Sequence, residues 1–145
     1  MELNVTPAYT GFRAGQIGQA YNQAAFRYFL AVDRLRAERS QRPVILVLAC
    51  VREAPGRSAQ LTQSTAAVIF AALAASVREV DFVGWFHEGR VAGAVLAQGA
   101  GAQDRRTTVS HRILATLRTS LPPDCAGKVH VRVIRLGRPG PGDVV

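Results

Sequence analysis

The run Val44 to Val51, VILVLACV, has no charged or hydrogen-bonding polar side chain anywhere along it. Its length is that of a strand, and a strand without apolar/polar alternation must be covered on both faces. A central, doubly covered strand therefore has to be the organising element, and the rest of the chain has to supply what covers it.

Upstream, Gln16 to Arg39 reads as a helix, because Tyr21, Ala25, Tyr28, Val32 and Leu35 recur at spacings of four and three. Phe26, Phe29 and Leu30 widen its apolar surface beyond one stripe. Such a helix is expected to pack on a partner as well as on its own domain, a second copy of the chain being the simplest partner. Downstream, the polar loop Arg52 to Ala59 leads to a second helix, Leu61 to Val80. Two β-prone runs follow, Asp81 to Phe86 and Arg90 to Ala97, with Gly89 available between them for a positive φ, which predicts a hairpin. Trp85, Phe82 and Phe86 are then hairpin side chains packing under helices. Thr107 to Leu121 has helical spacing and stops at Pro122-Pro123. Lys128 to Leu136 alternates, with Val129, Val131 and Val133 inward and Lys128, His130 and Arg132 outward, as a half-exposed last strand does. After the leading helix the order is β-α-β-β-α-β. This predicts an α+β, ferredoxin-like domain with a central antiparallel sheet and helices packed on it. Residues 1–15 read as an N-terminal extension, 16–136 as one domain and 137–145 as a flexible tail.

Composition narrows the function classes. At 145 residues the chain fits one domain, burying about 70% of its unfolded surface. Cys50 and Cys125 have neither metal-ligand spacing nor a disulfide framework, and Cys50 reads as core. No apolar stretch is long enough to span a bilayer and no leader pattern opens the sequence, so a cytoplasmic protein without membrane insertion is expected. The net charge of +8 would attract polyanions. The arginines are scattered, however, and no aromatic-rich strand pair accompanies them, which speaks against nucleic acid. No phosphate-binding loop signature is present, and Gly99-Ala-Gly101 is too short for a dinucleotide fingerprint. Ser110-His111 are successive helical residues that point apart, so they imply no nucleophile–base pair.

One stretch carries more information. Arg78-Glu79-Val80-Asp81 is followed by FVGWF and then by His87-Glu88-Gly89-Arg90-Val91. This R-x-x-D pair, placed five residues ahead of a turn, together with the element order and the lead-in FRYFLAVDRLRAERSQRPVILVL, resembles the GGDEF family of diguanylate cyclase domains over roughly Phe26 to Leu136. The resemblance implies the nucleotide-cyclase palm fold. It also implies a signature turn at His87, Glu88, Gly89 and Arg90, where a cyclase would carry Gly-Gly and a metal-holding acid. A second metal carboxylate would belong on the first strand, but Ser40 to Arg52 contains neither Asp nor Glu. Hard divalent cations bridging phosphates require oxygen ligands. The expectation is therefore a catalytically silent module with no catalytic residue, no metal and no cofactor, His87 being a solvated turn residue. Glu53 and Glu88 remain the only candidates for a shifted carboxylate pair.

The resemblance further implies that Arg78 and Asp81 form an inhibitory-type site for cyclic di-GMP, of the kind degenerate relatives use as receptors beside exopolysaccharide synthesis machinery. The chemistry suits the residue types, since guanidinium pairs with guanine O6/N7 and a carboxylate accepts from guanine N–H groups. Two alternatives stay open at this point: Arg78 and Asp81 as a surface ion pair at a helix end, and the domain as a dimerisation module without ligand.

Overall fold

In the computed structural model, residues 7–9, 20–40, 43–75, 80–97 and 106–136 are described. Their elements are β1 (Pro7–Tyr9), β2 (Ala20–Tyr21), α1 (Gln23–Ser40), β3 (Val44–Ala54), β4 (Arg57–Ser58), α2 (Gln63–Ala75), β5 (Val80–His87), β6 (Val91–Ala97), α3 (Arg106–Ser120), α4 (Pro123–Ala126) and β7 (Val129–Leu136). The apolar run is the core of β3, which lies between β6 and β7 with both neighbours antiparallel. Six strands join in the order β1-β2-β5-β6-β3-β7, and β4 folds back on the end of β3. Within this sheet β5-β6-β3-β7 is the predicted ferredoxin-like arrangement. The sheet as a whole is mixed, because β2 pairs parallel to β5.

Ile45, Val47, Ala49 and Val51 face one side of the sheet, where Ile69, Phe70 and Leu73 of α2 and Val109, Ile113 and Leu117 of α3 close the larger core. Trp85 belongs to this side, edge-on to Phe70 at 5.0 Å between ring centroids. Val44 and Leu46 face the other side, with Phe26 and Ala37 of α1. Both faces of the central strand are thus covered, as its composition requires, although α1 covers only part of the second.

Two boundaries and the buried face of one helix differ from expectation. The first helix starts at Gln23: Asn22 caps it, its Oδ1 accepting from the Ala25 N–H at 2.9 Å, and Ala20 and Tyr21, read as helical, form β2. The apolar stripe read from spacing is also rotated. Phe26, Leu30, Asp33 and Ala37 face inward, whereas Tyr28 and Leu35 are 51% and 57% exposed. Val80, assigned to the second helix, opens β5 opposite Leu96, and Asp81 follows it on that strand, while Arg78 lies outside the described residues. Residues 16–19 and 137–145 lie outside the described residues.

What seats α1 is a floor of two glycines. Gly84 and Gly93 pair directly across β5 and β6, and the fully buried Phe26 ring lies on them. A Cβ on Gly93 would sit 2.7 Å from Phe26 Cζ, and one on Gly84 would sit 2.7 Å from the Tyr21 carbonyl oxygen and 2.8 Å from Phe26 Cδ1. Phe82 and Phe29 complete an aromatic cluster, with ring centroids 5.4 Å (Phe26–Phe82) and 5.9 Å (Phe29–Phe82) apart, both edge-on. Gly93→Ala should therefore overpack the site and cost about 1–3 kcal/mol in urea unfolding. In the Phe26→Leu background the same change should cost less, since residues in contact couple.

Asp33 faces the groove beside this cluster, where Tyr21, Tyr28, Phe29 and Phe82 line the walls. Burial raises the pKa of its carboxyl, while Arg36, 3.9 Å away, partly opposes the rise. The folded state then holds the Asp33 proton more tightly than the unfolded chain does. This group therefore costs stability at neutral pH and costs less as pH falls through its raised folded-state value. Asp33→Asn should raise the melting temperature at pH 7, and the gain should shrink as pH is lowered through the carboxylate range.

Candidate functional site

The hairpin turn joining β5 to β6 holds four of the residues singled out from sequence. Arg90 N–H donates to the His87 carbonyl at 3.0 Å, and Gly89 sits at φ 74°, a conformation that favours glycine. The turn is fastened on two sides. On the first, Glu88 and the start of α1 exchange hydrogen bonds: the Gln23 N–H donates to Glu88 Oε1 at 2.9 Å, and the Glu88 N–H donates to Gln23 Oε1 at 2.7 Å. One turn further along α1, Arg27 Nε donates to the Phe86 carbonyl at 2.8 Å while its guanidinium lies 4.4 Å from the Phe86 ring centroid. On the second side, the Leu61 N–H donates to the Gly89 carbonyl and Arg90 Nη1 to the Ser58 carbonyl, each at 2.8 Å. Gln60 lies so close over Gly89 that a Cβ there would collide with its side-chain nitrogen.

These contacts define what the turn can do chemically. The Glu88 carboxylate satisfies an N–H that every helix start leaves without an intrahelical partner, and it carries the charge sign that the α1 dipole favours there. Glu53, the other candidate for a shifted carboxylate, is exposed and 3.5 Å from Arg57. Among the described residues no group of three or more His, Cys, Asp or Glu side chains is placed to hold a metal ion. His87 is exposed but not merely solvated, because Arg27 Nη2 lies 3.2 Å from its Nδ1. Guanidinium only donates, so Nδ1 accepts and the ring proton sits on Nε2. Arg78 and the side chain of Asp81 lie outside the described residues.

Beside the turn, on the sheet face that α1 leaves open, is a cavity of about 230 Å³. Its floor is Leu48, Phe86 and Val91, and its polar lining includes Arg52, His87, His130 and Arg132. Cys50, expected in the core, is half-buried and lines this cavity instead, because even-numbered β3 residues beyond Leu46 run out from under α1. Sequence reading placed His130 and Arg132 on one exposed face of the last strand. It did not bring them to Arg52, which depends on β3 and β7 pairing Cys50 with His130 and Leu48 with Arg132. Gln23, Arg27 and Gln60 carried no sequence signal, since their roles arise only when α1 and the segment before α2 meet the turn.

The chain matches no family model and no curated protein. Solved structures do resemble it. A DGC protein from Thermotoga maritima superposes with a TM-score of 0.61 at 13% identity, covering 88% of this chain and 86% of that one. The GGDEF domain of FimX from Pseudomonas aeruginosa gives 0.55 at 17% identity, covering 84% and 78%. The GGDEF domain of DgcB from Caulobacter crescentus, determined in complex with c-di-GMP, gives 0.51 at 12%, covering 90% and 79%. The chain has the GGDEF-domain fold. The first expectation from sequence, the palm architecture, is therefore met. In this GGDEF-like fold the turn that joins β5 to β6 serves as a fastening point for α1. No helix among the described residues is long and apolar enough to cross a membrane.

If the turn has this fastening role, Glu88→Ala should lower stability by about 0.5–2 kcal/mol, as loss of a helix cap does. Glu88→Gln, which keeps an acceptor but loses the charge, should cost less. Urea titration followed by far-UV circular dichroism measures both.

Proposed function

We propose that this chain is a catalytically silent GGDEF-like regulatory and assembly module that receives cyclic di-GMP through Arg78 and Asp81. The observation that carries the silent reading is the commitment of Glu88, the one carboxylate in the turn, to the N-terminus of α1. Arg52 stands at the end of β3, where a metal site would need oxygen ligands, and no carboxylate lines the adjoining cavity. The receptor reading rests on the R-x-x-D spacing ahead of the hairpin, and the DgcB GGDEF domain with c-di-GMP bound lends it support. A role beside exopolysaccharide synthesis belongs to the same reading.

A second reading, a dimerisation module without ligand, is favoured by the outward row on α1. Tyr28 and Leu35 are exposed there, with Val32 half-buried between them. The two readings are compatible, because a receptor can also assemble through α1.

Incubation with GTP and magnesium or manganese should yield no cyclic dinucleotide. Product that disappears on Glu53→Ala or Glu88→Ala would restore the shifted-carboxylate cyclase. In calorimetry the wild type should bind cyclic di-GMP, and Arg78→Ala should bind it roughly ten- to a hundredfold more weakly, since a bidentate base contact is worth about 1–3 kcal/mol. No heat at high micromolar ligand would leave the dimerisation reading in its place.

A further inference from the structure

The cavity on the open face of the sheet has an unusual combination of walls. Side chains alternate along a strand, so Leu48, Cys50 and Arg52 share one face of β3, and the register sets Arg132 beside Leu48 and His130 beside Cys50 on that same face. At the strand end the Arg52 N–H donates to the Lys128 carbonyl at 2.8 Å, which holds the two strands together at the cavity rim. Two guanidinium groups and two imidazoles thus line one concavity, and none of its lining residues is a carboxylate. Glu53 is adjacent in sequence, but it pairs with Arg57.

Arg52, His130 and Arg132 make no side-chain hydrogen bond or ion pair among the described residues. An anion seated in a concavity lined by two guanidinium groups meets favourable charge and several N–H donors. His87 contributes a further donor, because its Nδ1 is occupied by Arg27 and its proton is on Nε2. The floor is of opposite character: Leu48, Phe86 and Val91 offer apolar surface, and the Phe86 ring is held in place by Arg27 from outside the cavity. A cavity of about 150 Å³ accommodates a benzene ring, so about 230 Å³ leaves space for one ring and a phosphate together.

We infer that this cavity is a metal-independent binding site for a small organic phosphomonoester, Arg52 and Arg132 holding the phosphate and Leu48, Phe86 and Val91 receiving its apolar or ring portion. Phosphate suits the paired guanidinium forks better than a carboxylate does, since its dianion can accept from both at once. A divalent cation has no part in this site, because the positive charge that would bridge phosphate to a carboxylate is supplied by the protein. The inference does not rest on Arg78 or Asp81.

Phenyl phosphate is a suitable probe, titrated into the full chain and followed by calorimetry and by the imidazole resonances of His87 and His130. Binding should saturate, should be the same in EDTA as in magnesium, and should be tighter than that of inorganic phosphate. Arg52→Gln and Arg132→Gln should each weaken it at least tenfold with the near-UV dichroism unchanged, while Arg118→Gln, at an exposed position on α3, should leave it alone. Failure to saturate, a requirement for magnesium, or equal weakening by Arg118→Gln would overturn the proposal. So would inorganic phosphate binding as tightly as phenyl phosphate. A single-stranded oligonucleotide that displaces phenyl phosphate and outbinds it would replace the proposal with a nucleic-acid surface. Loss of cyclic di-GMP binding in Arg78→Ala with phenyl phosphate binding intact would show the two sites to be separate.

Discussion

The contact between Phe26 and the paired glycines Gly84 and Gly93 sets the position of everything on the open side of the sheet. With no Cβ on either strand at that point, the ring reaches the backbone, and α1 comes down over the β5–β6 hairpin instead of standing off from it. Gln23 and Arg27 flank Phe26 on the same helix, so seating the ring brings one to the Glu88 backbone and carboxylate and the other to Phe86 and His87. Because α1 bears on the sheet at this place, the ends of β3 and β7 beyond it stay uncovered, and the cavity exists there.

That geometry gives the turn a structural task. A cyclase needs a turn that admits a nucleotide and a carboxylate left free for metal. Here the turn is held from α1 on one side and from Ser58, Gln60 and Leu61 on the other, and its carboxylate neutralises a helix start. The local electrostatics are inverted as well. Where oxygen ligands would gather cations, Arg52, Arg132 and two histidines line the adjoining space, so an anion can be held directly.

Much of the fold was legible because its strongest signals are local. The uniform apolar run of β3, Gly89 between two β-prone segments, the Pro122-Pro123 stop and the alternation of the last strand each have one physical interpretation, and together they order the palm. The face of α1 was misread because Tyr28 and Leu35 fit a helical stripe as well as Phe26 and Leu30 do. Only the glycine floor, a feature of two distant strands, decides which row faces inward. The same limit applied to the site. His87 and Glu88 could be located in a turn, but their partners lie some sixty residues away in sequence, and spacing along the chain says nothing of a reciprocal bond between Gln23 and Glu88. Arg52 and Arg132 likewise come to line one cavity only through strand register.

The central claim is that the signature turn fastens α1 and does not hold metal. Paramagnetic broadening of amide resonances by manganese tests it most directly, because the effect is confined to residues close to a bound ion. The account predicts that the amides of residues 87–90 and of Glu53 broaden no more than those beside other exposed carboxylates, such as Glu38 and Asp124. Selective broadening at Glu88 and Glu53 at low manganese, reversed by magnesium, would contradict it.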